Sequence, residues 1–425
     1  MPRLRRIASG DVPAARVSLP DPATMREAAR IVEDVRTRGE AALREHALRL
    51  GDLGPGDPLV YDRPALAAAR DRFDPDDRAV LERAAESIRR FAAAQRECLR
   101  DARVAIPGGH AGHTVAPVER AGCYAPGGRF PLPSSVLMTV VTARAAGVSS
   151  VWVASPRPAP ATLAAAAIAG ADALLAVGGA QAIATFAFGA GTVPRCDLIA
   201  GPGNRWVTAA KRIVAGEVGV DMVAGPSELV VLADETADAE TVAADLLAQA
   251  EHDPDAMPIL VTTDARLADA VEATLAARLE TLATAATASA AVANGGVVLV
   301  PSLEAGVDVC NRLAPEHLQV MTHDARSVSR RLKHYGALFV GAGAAEVLGD
   351  YGAGPNHVLP TGGAARFTGG LSVFTFRRVR TWMEIDEPSA AEPLARDARA
   401  LARMEGLAGH AAAAERRLHG LTHRP

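Results

Sequence analysis

From about residue 116 the chain repeats one grammar, a short β-rich apolar run followed by a segment with helical period. Runs at 148–154, 173–177 and 198–199 lead into helical patterns at 160–168, 181–188 and 204–214. A second set places runs at 229–233, 259–262, 296–300 and 337–340 around helical patterns at 237–250, 266–282 and 303–313. Strands that alternate with helices pair in parallel, because each return crossing is made by a helix lying on the sheet. The expected fold class is α/β, with two similar units joined near residues 224–227. A length of 425 residues exceeds one ordinary core and agrees with such a division. Residues 22–50 and 63–100 carry charged helical patterns and predict a helical cover. The last fifty residues or so read as charged and mostly helical, with a frayed end at His419 to Pro425.

Composition removes several classes of function. A net charge of -4, with no basic stripe or cluster, gives no footprint for nucleic acid. Positive charge is almost all arginine, the lysines being Lys211 and Lys333, which reads as compositional bias and not as a binding device. Cys98, Cys123, Cys196 and Cys310 are scattered, forming neither a C-x-x-C pair nor a disulfide framework, so a reduced, cytoplasmic setting is expected. The basic N-terminus lacks a following apolar stretch with a cleavage site, so no signal peptide is expected. The longest apolar run, from 161 to 175, is interrupted by Gly170 and Asp172 and is too short for a membrane span. A soluble enzyme is the expectation.

Five polar residues at or near the ends of apolar segments carry the chemistry: Gln249, His252, Glu316, His317 and Asp350. Mixed imidazole, amide and carboxylate groups suit divalent ions that prefer nitrogen and oxygen. Gln249 and His252 are three apart at a helix end and share a face, whereas Glu251 points elsewhere; the plainer reading of His252 is a partner for the helix dipole. Pro315 ends a helix and presents Glu316 and His317 on a turn, where adjacent groups suit two separate proton transfers, or else simply a solvated helix end. The loop from Gly349 to His357 contains three further glycine or proline positions between Asp350 and His357, and such a loop is costly to order unless its side chains are used. Glu405 and His410 sit in a glycine-interrupted helical pattern able to close over a site built elsewhere. Two glycine-rich stretches, Gly122 to Gly128 and Gly201 to Arg205, place glycine at a sheet edge, as phosphate-facing loops or as turns alone. Neither is G-x-G-x-x-G.

Taken in order, Tyr124-x-Pro-Gly-Gly-Arg, Gly201-Pro-Gly-Asn, Ala224-Gly-Pro-Ser-Glu, Gln249-Ala-Glu-His with Asp-Pro, Ala314-Pro-Glu-His, Gly349-Asp-Tyr-x-x-Gly-x-Asn-His-Val-Leu-Pro-Thr and Glu405-Gly-Leu-x-x-His resemble the histidinol dehydrogenase family over roughly residues 20–415. The resemblance implies oxidation of L-histidinol to L-histidine through L-histidinaldehyde with two NAD+, the last step of histidine biosynthesis. It implies one Zn2+ per site, held by Gln249, His252, Asp350 and His410. His317 is implied as general base and Glu316 as the group that activates water. Ser227, His357 and Glu405 are implied as substrate contacts, together with Gln249, His252, His317, Asp350 and His410. Tyr124, Gln181 and Asn204 match the family's dinucleotide contacts, and no cysteine matches a nucleophile.

The implied fold is two incomplete Rossmann-like domains with small N- and C-terminal segments, aldehyde-dehydrogenase-like in topology, in a homodimer whose C-terminal segments are swapped so that Glu405 and His410 complete the partner's site. The expected divisions are a helical segment at 1–19, a discontinuous domain of 20–123 plus 228–371 with the metal ligands and catalytic pair, an NAD domain at 124–227, and a swapped segment at 372–425. One departure falls at Ser372 to Asp386, which lacks the commoner Phe-x-Lys-Arg continuation. A paralogous zinc-binding, NAD-dependent primary alcohol dehydrogenase, acting on another small alcohol such as a sulfopropanediol, would be expected to change Ser227 or Ala314 to His317. This chain retains them. A non-enzymatic dimeric scaffold would have no reason to keep both Glu316 and His317.

Overall fold

The computed structural model describes residues 3–12, 20–127 and 131–418. They form fifteen strands: β1 (Arg5–Ala8), β2 (Val60–Asp62), β3 (Ala102–Ile106), β4 (Gly109–Pro117), β5 (Arg120–Tyr124), β6 (Ser150–Ala154), β7 (Ala173–Leu175), β8 (Leu198–Ala200), β9 (Gly219–Val220), β10 (Glu228–Ala233), β11 (Met257–Thr262), β12 (Gly296–Leu299), β13 (His317–Met321), β14 (Ala337–Val340) and β15 (Arg377–Ile385). The chain divides into two compact units, Met1–Ala94 with Val118–Phe376, and Gln95–Pro117 with Arg377–Pro425.

The first unit contains two six-stranded sheets. One has the order β2-β7-β6-β5-β8-β9, parallel except where β2 runs antiparallel to β7. The other, β1-β12-β11-β10-β13-β14, is parallel throughout. Each reverses its direction of winding beside a central strand, at β5/β8 and at β10/β13. All six residues of β10, Glu-Leu-Val-Val-Leu-Ala, are buried, as expected for a strand covered on both faces. Parallel sheets and the successive helices therefore follow the sequence pattern. The helix Ala285–Asn294 was not anticipated; its alanine-rich composition has little periodic contrast to mark it.

Three expectations about the divisions do not hold. The helical segment at 22–100 was expected to join the 228–371 unit, but Ala28, Ile31, Val35, Leu43, Leu66 and Ile88 share a core with Val151, Leu174 and Ile199 of the sheet containing β5–β9 and with Phe186 of the helix Gly179–Phe188. The cause is pairing: β2, inside that segment, hydrogen-bonds to β7 and brings its flanking helices with it. The N-terminal segment is not helical at Arg5–Ala8, which instead forms β1 beside β12; residues 13–19 lie outside the described residues. The hairpin β3–β4, expected within the large domain, pairs with β15 in the second unit. Of the departure at Ser372 to Asp386, Val373–Phe376 is a 3-10 turn at the end of the first unit, and Arg377–Ile385 is a strand of the second, followed by helices Glu392–Met404 and Ala408–Leu418. The expected frayed end, His419 to Pro425, lies outside the described residues.

A buried ion pair fixes the turn after β8. Lys211 Nζ donates to Asp221 Oδ1 and to the Gly201 carbonyl, each at 2.6 Å, while Asp221 Oδ2 accepts from Gly201 N–H at 2.8 Å. The two side chains are 3% and 1% exposed. Gly201 has φ +119°, and a Cβ there would lie 2.0 Å from the Tyr124 carbonyl oxygen, so no other residue fits. Lysine here is therefore structural. Lys211→Met should cost about 3–5 kcal/mol, because it strands a buried carboxylate. Urea unfolding of the variant checks this; a loss below about 1 kcal/mol would show that Asp221 finds water or another partner.

Candidate active site

Strand register, helix direction and one tight turn bring the polar residues together at the amino ends of the second sheet. Glu228 is the first residue of β10 and His317 the first of β13, with Glu316 immediately before it. Helix Ala239–Ala250 returns against the strands, so its last turn delivers Gln249 to that same edge. Helix Leu303–Leu313 ends in Ala314, whose φ of 48° turns the chain, and Pro315 prevents continuation. Gly336 N–H and Ala337 N–H then bind the carbonyls of Pro315 and Glu316 at 2.9 and 2.8 Å. These bonds fix where Glu316 and His317 enter the sheet.

His317 is 4% exposed. Its Nδ1 lies 3.2 Å from both the Glu228 carbonyl and Gln249 Oε1, two acceptors that place the proton on Nδ1. Nε2 is buried with no hydrogen-bond partner, leaving a free lone pair. Burial lowers the imidazole pKa to about 3, so the ring is neutral. Glu316 Oε2 accepts from Glu228 N–H at 3.0 Å and stands 3.7 Å from His317 Nδ1, too far for a hydrogen bond. The adjacent acid and imidazole thus have separate partners. Burial raises the Glu316 pKa well above the usual carboxyl range.

Asp350 and Glu346 come from one short helix, Glu346–Tyr351, one turn apart. Burial pushes Asp350 up to about 7, and Glu228, whose Oε1 accepts from Gly362 N–H at 3.0 Å, also to about 7. Glu346 is 3% exposed, and neither of its carboxyl oxygens has a hydrogen-bond partner. Sequence reading missed it. The signal was its four-residue spacing from Asp350, which puts both carboxyls on one helix face. His252, Glu346 and Asp350 offer ligand atoms that all lie within 4.8 Å of one another.

This donor set fits a divalent ion. Imidazole nitrogen with carboxylate oxygens is a set that zinc accepts, whereas Gln249, 0% exposed, turns Oε1 to His317 Nδ1 and leaves Nε2, a hydrogen-bond donor, without a partner. A buried acid with both oxygens unsatisfied calls for a cation or for its own proton.

His357 closes the loop above the site. Its Nδ1 is 3.1 Å from the Asp350 carbonyl and its Nε2 is 3.4 Å from Ser135 Oγ, while burial lowers its pKa to about 4. Ser135 lies in helix Pro133–Ala146, which follows β5, so the carboxyl edge of the first sheet adjoins the amino edge of the second. On that first edge stand Tyr124, whose hydroxyl accepts from Gly179 N–H at 3.1 Å, the buried Gln181, and Asn204, which caps helix Arg205–Val214 by accepting from Trp206 N–H at 3.0 Å. Gly128 and Arg129 of the first glycine-rich stretch lie outside the described residues. Glu405 and His410 belong to the second unit, where Glu405 follows helix Glu392–Met404 and both are exposed.

The family model described as histidinol dehydrogenase matches residues 15–418. A histidinol dehydrogenase of Aromatoleum aromaticum is 44% identical over 396 residues, covering 92% of this chain and 90% of that protein. One from Thermus thermophilus is 46% identical over 384 residues, 90% of this chain and 91% of its own length. The crystal structure of histidinol dehydrogenase from Elizabethkingia anophelis superposes with a TM-score of 0.91 at 29% identity, covering all of both chains.

Metal uptake should depend on pH with a definite sign. Asp350, held near 7, binds a metal only after losing its proton, so affinity should rise with pH from 5.5 toward 8 by up to about tenfold per unit for each proton released, and then level. Titration with Zn2+ in buffers of different ionisation heat counts those protons. An affinity flat over that range would mean that the carboxyls are already ionised.

Proposed function

The chain belongs to the histidinol dehydrogenase family, and on that premise we propose that it oxidises L-histidinol to L-histidine through L-histidinaldehyde, reducing two NAD+ in succession. The observation that carries the chemistry is the buried His317 ring, held through Nδ1 and free at Nε2, with a separately held buried acid beside it. His317 takes the hydroxyl proton at Nε2 as hydride leaves for the nicotinamide. Burial keeps the ring unprotonated beforehand, and its Nδ1 bonds hold the lone pair in one direction. Glu316, fixed by the Glu228 N–H, takes a proton from the water that attacks the aldehyde. The hydrate gives up the second hydride while His317 again accepts the proton. Cys123 and Cys310 have burial-raised pKa values of about 12, so neither supplies a thiolate for a thiohemiacetal.

Gln249, His252 and Asp350, with His410, would hold one Zn2+, which when bound orients the imidazole and amino groups of the substrate. Ser227, His357 and Glu405 are assigned to the substrate, and Tyr124, Gln181 and Asn204 to the dinucleotide. Glu405 and His410 are assigned to the partner's site in a homodimer; the exposure of Leu401 at 58% and Met404 at 81% on the preceding helix supports a protein surface there. Among the described residues no helix is long and apolar enough to cross a membrane. A cytoplasmic location is part of this reading.

Two substitutions test the half-reactions, one acting on both and one on the second alone. His317→Asn should lower kcat by at least about 10²-fold with either histidinol or histidinaldehyde as substrate. Glu316→Gln should keep alcohol oxidation largely intact and stall at the aldehyde, giving about one NADH per histidinol in a single turnover. Equal losses in both steps for Glu316→Gln would refute its assignment to water.

A further inference from the structure

The loop before β2 places one acid among the residues assigned to the dinucleotide. Asp52 Oδ2 accepts from Gln181 Nε2 at 2.8 Å and from Gly178 N–H at 3.0 Å. The loop itself is tied down, since Asp52 N–H donates to the Ala47 carbonyl at 2.8 Å and Ala176 N–H donates to the Leu59 carbonyl at 2.9 Å. An amide has one donating and one accepting end. With Nε2 committed to Asp52, Gln181 offers Oε1, which is buried and without a hydrogen-bond partner. The orientation cannot be reversed at no cost, because Oε1 would then face a carboxylate.

The same contacts define what this turn can receive. Helix Gly179–Phe188 starts here, and such a helix start would ordinarily present N–H groups to a phosphate. Gly178 N–H is already held by Asp52 and Gly179 N–H by the Tyr124 hydroxyl. A carboxyl in place of an anion site repels a phosphate. With those two N–H groups taken, the one unpaired side-chain atom the turn offers a ligand is an acceptor, the Gln181 Oε1, and its natural partner on a dinucleotide is a hydroxyl.

We propose that Asp52 is the positioning residue that orients Gln181 for the dinucleotide, so that Oε1 accepts a hydrogen bond from a ribose hydroxyl of NAD+ at this turn. The assignment rests on the reading of Gln181 as a dinucleotide contact. It brings the loop between helix Glu40–Arg49 and β2, which carries Asp52, into cofactor recognition.

The test measures dissociation constants for NAD+, and KM and kcat with histidinol, in the zinc-loaded wild-type protein, Asp52→Ala, Asp52→Asn and Gln181→Ala. Asp52→Ala should weaken NAD+ about tenfold while kcat and the KM for histidinol stay within about twofold. Asp52→Asn should bind NAD+ nearly as the wild type does, because its Oδ1 can accept both N–H groups. A merely structural role would not produce that split or that rescue. Wild type should also lose about tenfold for one of the monodeoxyribose analogues of NAD+, and Asp52→Ala should lose little more for that analogue. Normal NAD+ binding by Asp52→Ala while Gln181→Ala is weakened would overturn the role of Asp52. Equal damage from Asp52→Asn and Asp52→Ala, or no loss with any deoxy analogue, would overturn the orientation account. Unchanged binding in Gln181→Ala would instead sink the underlying placement of the dinucleotide.

Discussion

The structure gathers Glu228, Glu316, Glu346 and Asp350 in one buried place, 7%, 6%, 3% and 7% exposed, and among the described residues no arginine or lysine pairs with them. Burial comes first among the causes that raise each of their pKa values. Acids kept this way are destabilising unless they retain protons or meet a cation. On the proposed reading, a dication and an aminoalcohol bring those cations when they bind. The neighbouring imidazoles shift in the opposite direction, lowered by the same burial. On that reading, ligand binding and ionisation of these acids are coupled.

Backbone placement makes this tolerable. Glu228 and His317 begin neighbouring strands, and the partners that hold them are backbone groups of those same strands or the last turn of an adjacent helix. Ligands of open α/β sheets usually bind beyond the carboxyl ends of strands, at the point where the winding reverses. The second sheet instead uses its amino ends, while the first offers its carboxyl ends, and Ser135 with His357 spans the junction within that unit. Hydride donor and acceptor would then come from opposite kinds of sheet edge. That arrangement suits a reaction in which substrate and dinucleotide meet face to face.

Much of this was legible in the sequence. Alternation of strand and helix specified two parallel sheets, and Pro315 marked the turn that presents Glu316 and His317. Local pattern says nothing about which sheet a helix covers, and so the assignment of 22–97 failed: three residues of β2, too short to stand out, decide it by pairing with β7. Arg5–Ala8 and the β3–β4 hairpin were misplaced for the same reason, since edge pairing is a long-range choice. Glu346 escaped because a lone glutamate in a glycine- and alanine-rich segment is unremarkable until its burial is seen. Asp52 escaped because its role depends on Gln181, which lies 129 residues away.

The most direct measurement is NADH formed per L-histidinol consumed, followed at 340 nm with zinc-loaded protein and repeated after chelation and after zinc is restored. The account predicts about two NADH per histidinol, activity lost with the metal and regained with zinc. One NADH per histidinol with aldehyde accumulating, or full turnover by metal-free protein, would contradict it.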